Sequence, residues 1–414
     1  MNPKPSKCFR ILHTSDWHLG VETGTANYSR AHEHAAFLDW LLTTIVDHQV
    51  DAVLVSGDIY HTGNAPIDAQ RMFFGFLRQA ADLPRPVDFV VTGGNHDNPD
   101  RLALPGHFLD RIRFVGDLPW RDGQPDLDRL IIPLEPGAAP RVVCLAFPFL
   151  RAGDLPVENS EAAMGALWRA AADRARMRYP SARLVGTAHL FAAGGDLSDT
   201  ERLAMVGGVD CVSINAFPTE LTYLALGHLH RPQKIKAPFL ARYAGNVLPM
   251  SATERNYKHS IAIVDIPPDG PVTAQTIEIP SRVPFLVIPA QGEPMDLPET
   301  LKAIRELQLP DVAPGFEPFL EIKVRPREPI PTLGSQIAEA LAGKKVRLLG
   351  VFQDCAGDEG GMDEALARGL TVADLSPTQV FERIHTARYG DAPSPDLAQA
   401  FERIVAEATA EAAG

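Results

Sequence analysis

The stretch Phe9-Arg10-Ile11-Leu12-His13-Thr14-Ser15-Asp16-Trp17-His18-Leu19-Gly20 decides how the rest of the chain is read. Its apolar, β-prone first half predicts a strand, and Asp16 and His18 fall just past the carboxyl end of that strand. The arrangement recurs. Ala52-Val53-Leu54-Val55 leads to Gly57-Asp58, and Phe89-Val90-Val91 leads to Gly94-Asn95-His96-Asp97. Leu184-Val185 leads to Ala188-His189, and Tyr223-Leu224-Ala225-Leu226 leads to Gly227-His228-Leu229-His230. Strands side by side in one sheet would bring these ends to a single rim, where open α/β sheets bind ligands. Two Asp, one Asn and four His would then meet there, a mixture that a metal centre explains.

Two cations about 3.5–4 Å apart clamp the attacking and leaving oxygens of an in-line phosphoryl displacement. Such a pair needs a shared carboxylate, and Asp58 is the candidate. Asp16 and His18, two residues apart, can reach one ion together, and Asn95 offers an amide oxygen to the other. His189, His228 and His230 complete two mixed nitrogen and oxygen shells, with a turn aiming His228 and His230 at different ions. No thiolate takes part, which suits manganese, with magnesium or iron(II) as alternatives, over a Cys-rich zinc site. Singly, each fragment reads as a turn or a cap. The ordered set of five does not.

His96 is not needed to fill a shell and suits a general acid that protonates the leaving oxygen. Asp97 either orients that imidazole or caps the turn at Asn98-Pro99. His61, three residues past Asp58, is read either as a contact to substrate phosphate or as structural. His13 is expected in the core, and His32 and His34 in solvent near a helix start. His107, His259 and His385 receive no assignment.

Apolar residues at helical spacing predict helices over 35–42, 69–81 and 161–178, between the strand-like runs. Such alternation implies a layered α/β domain over residues 1–281. Strands at 242–244, 261–264 and 275–279 follow without long helices and are expected to form an antiparallel second sheet packed on the first. Composition breaks at Ile279-Pro280-Ser281-Arg282-Val283-Pro284. A small α+β unit is expected over 282–356, with strands near 285–288, 319–324 and 346–351 and helices near 300–307 and 333–341. Residues 357–374, rich in Gly, Asp and Glu, read as a linker. In 375–414, Ser376-Pro377 and Ser394-Pro395 start two short amphipathic helices. These either fold back on the body or dock on another protein.

At 414 residues the chain has room for two or three domains. Its 45% hydrophobic and 22% charged content is that of a soluble globular protein. No apolar run approaches the ~18 residues of a membrane span, and the N-terminus lacks a signal-peptide core. A cytoplasmic location is expected, with no membrane partner. Cys8, Cys144, Cys211 and Cys355 follow no metal-binding spacing and are expected as buried, reduced thiols. The net charge of −13 argues against a protein that coats nucleic acid, yet a bound cation pair would offset it locally.

Asp-x-His, Gly-Asp, Gly-Asn-His-Asp and Gly-His-x-His in this order resemble the calcineurin-like metallophosphoesterases. Within them the chain is similar to the SbcD-type nuclease subunits, bacterial relatives of the double-strand-break repair nucleases of archaea and eukaryotes. Residues 11–20, 37–41, 225–231 and 242–251 carry the likeness, which spans about residues 9–280. Two departures stand out: Asn246 where Ser is familiar, and His61 where Asp is common. The resemblance implies a four-layer αββα sandwich, a small α+β capping domain over 282–356, and a C-terminal segment that docks a coiled-coil SbcC-type ABC ATPase. It implies two manganese ions, one held by Asp16, His18, Asp58 and His230, the other by Asp58, Asn95, His189 and His228, with His96 catalytic. It further implies a homodimer within a heterotetramer, acting on DNA ends, hairpins and single strands as a 3′→5′ exonuclease and endonuclease in repair. Arg231 and Lys258 are the candidate DNA contacts.

Two other readings compete. A small-substrate phosphoesterase is disfavoured because Asp58-Ile59-Tyr60-His61-Thr62 lacks the Asp-Arg pair of protein phosphatases, and the third motif ends in Asp97 rather than Glu. An adaptor that binds DNA ends and regulates an ATPase is compatible with an active site, though the full ligand set argues against a dead one.

Overall fold

The computed structural model describes residues 4–353, apart from 25, 136–138, 152, 156–159, 197–210, 292–293, 326–329 and 331. Beyond 353 it describes Phe381, His385, Ser394, Leu397, Ala398 and Phe401. The main elements begin with β1 (Phe9–Thr14), α1 (Ala31–Asp47), β2 (Ala52–Ser56), α2 (Ile67–Ala81), β3 (Asp88–Thr92) and β4 (Ile112–Val115). They continue as β5 (Ile131–Leu134), β6 (Val142–Phe147), α3 (Ser160–Arg178), β7 (Arg183–His189), β8 (Leu221–Gly227), β9 (Gln233–Ile235) and β10 (Leu240–Tyr243). Then come β11 (Ser260–Ile266), β12 (Thr273–Glu278), β13 (Phe285–Ile288), α4 (Leu297–Glu306), β14 (Phe319–Val324), α5 (Leu333–Ala340) and β15 (Arg347–Gln353).

β1, β2 and β3 are buried at every position, so both faces of their sheet must be covered. Alternate residues serve different layers. Leu12, Val53 and Val55 pack with Phe37, Leu38 and Leu41 of α1 and Phe73, Phe76 and Leu77 of α2. Phe9, Ile11, Ala52 and Leu54 join a second core, built mainly from the strands of another sheet and from α3. The result is helices, sheet, sheet, helix: an αββα sandwich.

The first sheet runs β12-β11-β1-β2-β3-β4, and the second β9-β10-β8-β7-β6-β5. Parallel pairing joins β1 through β4 in one and β6, β7, β8 and β10 in the other. Two expectations are corrected here. The five motif-bearing strands do not share one sheet: β1, β2 and β3 lie in the first, β7 and β8 in the second. Nor do the later strands make the second sheet. β10 joins it in parallel to β8, while β11 and β12 extend the first sheet antiparallel to β1. A run of apolar residues buried on both faces reads alike in either sheet, so sequence could not sort them. β4, β5, β6 and β9 are additions to the expected strands.

The two sheets meet closely at the motif ends, and glycine permits it. A Cβ on Gly227 would lie 1.8 Å from the carbonyl oxygen of Ser56, and one on Gly94 would lie 2.0 Å from Asp58 Oδ1. No other residue fits either place.

The third sheet, β13-β14-β15, is wholly parallel. Leu320, Ile322 and Val324 of β14 pack under Ile304 of α4 and Leu333 and Ile337 of α5. Asp296 caps α4, its Oδ1 accepting the Glu299 N–H at 2.9 Å, with Pro next in the first turn. Phe285, Val287 and Phe319 form another cluster with Ala252, which belongs to the larger body. The expected linker 357–374 lies outside the described residues, as does most of 375–414. Within the latter, Ser394 Oγ accepts the Leu397 N–H at 3.4 Å, and the rings of Phe381 and Phe401 stack with centroids 4.1 Å apart.

Candidate metal centre

The first motif is held by the residue between its two polar side chains. Trp17 is buried edge-on against Phe37, Phe73 and Phe76, with centroids 5.7, 6.1 and 5.3 Å away. Each such pair contributes about 0.5–1.5 kcal/mol beyond burial. His34 is buried, not solvated as expected, and its Nε2 meets the Trp17 carbonyl at 2.8 Å. Burial drives its pKa down to about 3, and nearby Arg30 adds to this, so the neutral ring serves as an anchor. Helical position alone does not reveal this, because the partner is a loop carbonyl. With Trp17 fixed inward, Asp16 and His18 turn toward the sheet ends. Both adopt left-handed backbone (φ 51° and 48°), as do Asp58 (52°) and His228 (100°). Such conformations store strain of order 1–3 kcal/mol each and cluster at functional sites.

The structure gathers all seven expected ligands. Asp58 Oδ2 lies 3.7 Å from His18 Nε2 and 3.4 Å from His189 Nε2. Asn95 Oδ1 lies 2.9 Å from His189 Nε2 and 3.1 Å from His228 Nδ1. The ligand atoms of Asp16, His18 and His230 lie within 4.8 Å of one another, as do those of Asp16, Asp58 and His189. The His228 N–H donates to Asp16 Oδ1 at 3.0 Å, tying the second sheet to the first motif. His189 Nδ1 meets the Ser56 carbonyl at 2.8 Å, which leaves Nε2 turned toward Asp58 and Asn95.

These residues fit a cation. Both ring nitrogens of His18 are buried without a hydrogen-bond partner, which costs about 1–3 kcal/mol unless something binds there. Burial, together with the neighbouring His230, His96 and His61, drives the His18 pKa well below its usual value, so the lone pairs are available. Burial and the His189 charge lower His228 to about 3. Burial and the facing Asp58 push Asp16 up to about 6, although His189 opposes this. Asp58 itself is held well below the carboxylate range: burial works against this, but His189, His18 and His96 overcome it. Burial likewise opposes a proton on His189, yet the two carboxylates raise its pKa to about 9. A divalent ion can replace that proton, and ligation requires that it do so.

His96 sits at the edge of this cluster, its ring centroid 4.9 Å from His18 and 5.6 Å from His61, on which it stacks. Its N–H donates to Asp58 Oδ1 at 2.9 Å, and its Nδ1 meets the His61 carbonyl at 2.7 Å. Asp97 is corrected on both expectations. It neither orients His96 nor caps the Asn98 turn: its oxygens accept the N–H groups of Ile59, Tyr60 and Gly94 at 3.1, 2.9 and 2.9 Å. It ties the second and third motifs together by their backbones, and Asn98 caps its own turn through the Arg101 N–H. His61 lies beside His18 and His96, half-buried. His13 is in the core with Nδ1 on the Tyr223 hydroxyl at 2.8 Å. Arg231 pairs with Asp196 at 3.2 Å and lies over the Tyr257 ring, and Lys258, next in the chain to Tyr257, is exposed. Cys8 and Cys144 are buried as expected, whereas Cys211 is exposed.

Glu254 is the residue that sequence reasoning misses. It is fully buried, and its Oε1 lies 3.1 Å from His230 Nδ1. A lone Glu 24 residues beyond the last motif gives no periodic or spacing signal.

A family model described as calcineurin-like phosphoesterase matches residues 9–232, and one described as type 5 capsule protein repressor C-terminal domain matches residues 282–389. The SbcD subunit of the SbcCD nuclease of Rhodobacter capsulatus is 37% identical over 356 residues, 83% of this chain and 86% of that one. The chain belongs to the SbcD family of nuclease subunits. The SbcD protein of Bacillus subtilis is 36% identical over 289 residues, 67% of this chain and 71% of its own. That of Escherichia coli K12 is 29% identical over 402 residues, covering 90% and 92%. The chain is a phosphodiester hydrolase of the metallophosphoesterase class, and the Asp and His cluster at the strand ends is its candidate divalent-metal site.

Proposed function

We propose that the chain cleaves DNA with two divalent cations, manganese in preference to magnesium or iron(II), as a 3′→5′ exonuclease and a single-strand and hairpin endonuclease. One observation carries the reading: a single oxygen of Asp58, Oδ2, lies close to both His18 Nε2 and His189 Nε2, at 3.7 and 3.4 Å. Asp16, His18, Asp58 and His230 would hold one ion, and Asp58, Asn95, His189 and His228 the other. When bound, the ions supply Lewis acidity and positive charge at the scissile phosphate. His96 protonates the departing sugar oxygen from Nε2, since its Nδ1 is engaged by the His61 carbonyl and the ring is thereby steadied. His61, stacked on His96, holds that ring in place and faces the phosphate. Asp97 keeps the second and third motifs in register. Arg231, next in the chain to His230, and the exposed Lys258 contact the DNA backbone.

The protein works as a homodimer within a heterotetramer, in the cytoplasm, with an SbcC-type ABC ATPase docked on residues 375–414. The reading of 1–281 as the nuclease domain and 282–356 as its cap belongs to the same proposal. Among the described residues no helix is long and apolar enough to cross a membrane.

The test is cleavage of hairpin, duplex and single-stranded DNA in manganese or magnesium, with and without the ATPase. Manganese-dependent shortening of duplex from 3′ ends, and opening of hairpins, is expected. Faster turnover of phosphomonoesters or small cyclic diesters than of any DNA would refute it. Deleting residues after Asp374 should abolish co-purification of the ATPase while sparing nuclease activity.

A further inference from the structure

Glu254 lies in a short 3-10 turn, Ala252–Asn256, and both oxygens of its carboxylate meet donors. Oε1 faces His230 Nδ1 at 3.1 Å, while Oε2 accepts from Asn246 Nδ2 at 2.7 Å and from the Met250 N–H at 2.9 Å. The Asn246 N–H in turn donates to the His230 carbonyl at 3.2 Å. His230 is thus gripped at both its ring and its backbone. A histidine that donates Nδ1–H to a carboxylate keeps the lone pair on Nε2, and the carboxylate fixes both the tautomer and the aim of the ring.

The same turn is seated against the small sheet. Ala252 packs with Phe285, Val287 and Phe319. Arg30 donates to the Pro249 carbonyl, clasps Glu33 at 2.9 and 2.6 Å, and lies 5.3 Å from the centroids of both Phe285 and Phe319. Arg347 of β15 covers the Phe319 ring at 3.9 Å.

We propose that Glu254 is a positioning residue, holding His230 toward one cation, and that its turn makes this aim depend on how the small sheet is seated. The proposal rests on the two-cation reading above. Glutamine at 254 keeps the shape of the side chain; two donors, Asn246 and Met250, draw its oxygen to the Oε2 position, which sets its amide N–H against His230 Nδ1–H.

Manganese binding is measured by calorimetry on the full chain, with nitrogen-15 NMR of labelled histidines reading the His230 tautomer in metal-free protein. Glu254→Gln should weaken one of the two ions by about 10–100-fold, leave the other unchanged, and alter the tautomer. Glu254→Asp, which keeps a carboxylate, should lose less, and it serves if the Gln variant does not fold. His230→Ala should lose one ion, and adding Glu254→Gln should leave the affinity of the retained ion unchanged. Arg30→Gln should weaken the same ion severalfold. Weakening of both ions alike by Glu254→Gln, or an unaltered tautomer, would overturn the positioning role. Unchanged affinities in Arg30→Gln would overturn the coupling. Wild-type protein that binds fewer than two manganese ions would sink the two-cation reading itself, and His230→Ala that keeps both ions at full affinity would remove His230 as a ligand; both outcomes are distinct from failure of the Glu254 variants alone.

Discussion

The two halves of the metal centre are built differently. Around Asn95, both imidazoles have partners: His189 reaches the Ser56 carbonyl and Asn95, and His228 reaches Asn95 as well. Around Asp16, His18 has no hydrogen-bond partner at either nitrogen, and His230 hangs from Glu254. In the first half, His189 is anchored from outside the ligand set, its Nδ1 on the Ser56 carbonyl of the facing sheet. In the second half, the other imidazole meets Glu254, in a turn packed against the small sheet. The imidazoles of the two halves are therefore anchored by different parts of the fold.

The largest effect should come from the group the halves share. Asp58→Asn is expected to lose both ions and to lower DNA cleavage by at least about 10⁴-fold, as read by metal analysis and single-turnover cleavage. Two tightly held ions in that variant would remove Asp58 as the bridge. His96→Ser should cost about 10²–10⁴-fold in cleavage with metal content near wild type, because the residue donates a proton instead of ligating. Full activity would exclude it from the chemistry.

Proton competition separates the halves. His189 is raised to about 9, so at neutral pH an ion entering the Asn95 half must displace its proton. Apparent affinity there should climb by up to about tenfold per unit as pH rises toward 9, then level off. His18 is driven well below its usual value, so that ligand imposes no such climb between pH 6 and 9. A manganese titration across this range showing equal slopes for both ions would erase the distinction. In metal-free protein the same raised pKa stabilises the fold fully below the ordinary histidine value near 6.5, and that stability is lost as pH passes through about 9.

The smallest effects should fall on Arg231 and Lys258. Lys258→Ala should weaken DNA binding severalfold and reduce the salt dependence by about one counterion. Arg231→Ala should change less, because Asp196 already pairs with it. A larger loss for Arg231 would mean that DNA displaces Asp196.

The ligands were legible because each lies at or just past the end of a strand-like run, and three of the five fragments carry the glycine that lets the sheets approach. What escaped was held by contacts distant in sequence. Asp97 looked like a partner for its neighbour, yet it bonds the backbone of Ile59 and Tyr60 across two strand ends. His34 looked solvated from its place near a helix start, yet a loop carbonyl draws it inward. Glu254 belongs to no motif, and only the fold brings it under His230.

By itself, the chain's order of residues determined which side chains would converge, the α/β class, and the metallophosphoesterase chemistry, since those follow from strand periodicity and the donor set. Tertiary structure alone decided that the strands divide between two facing sheets, and that a carboxylate outside every motif meets His230. The reason is that an all-apolar strand and a lone buried carboxylate carry no record of their neighbours. Packing assigns both.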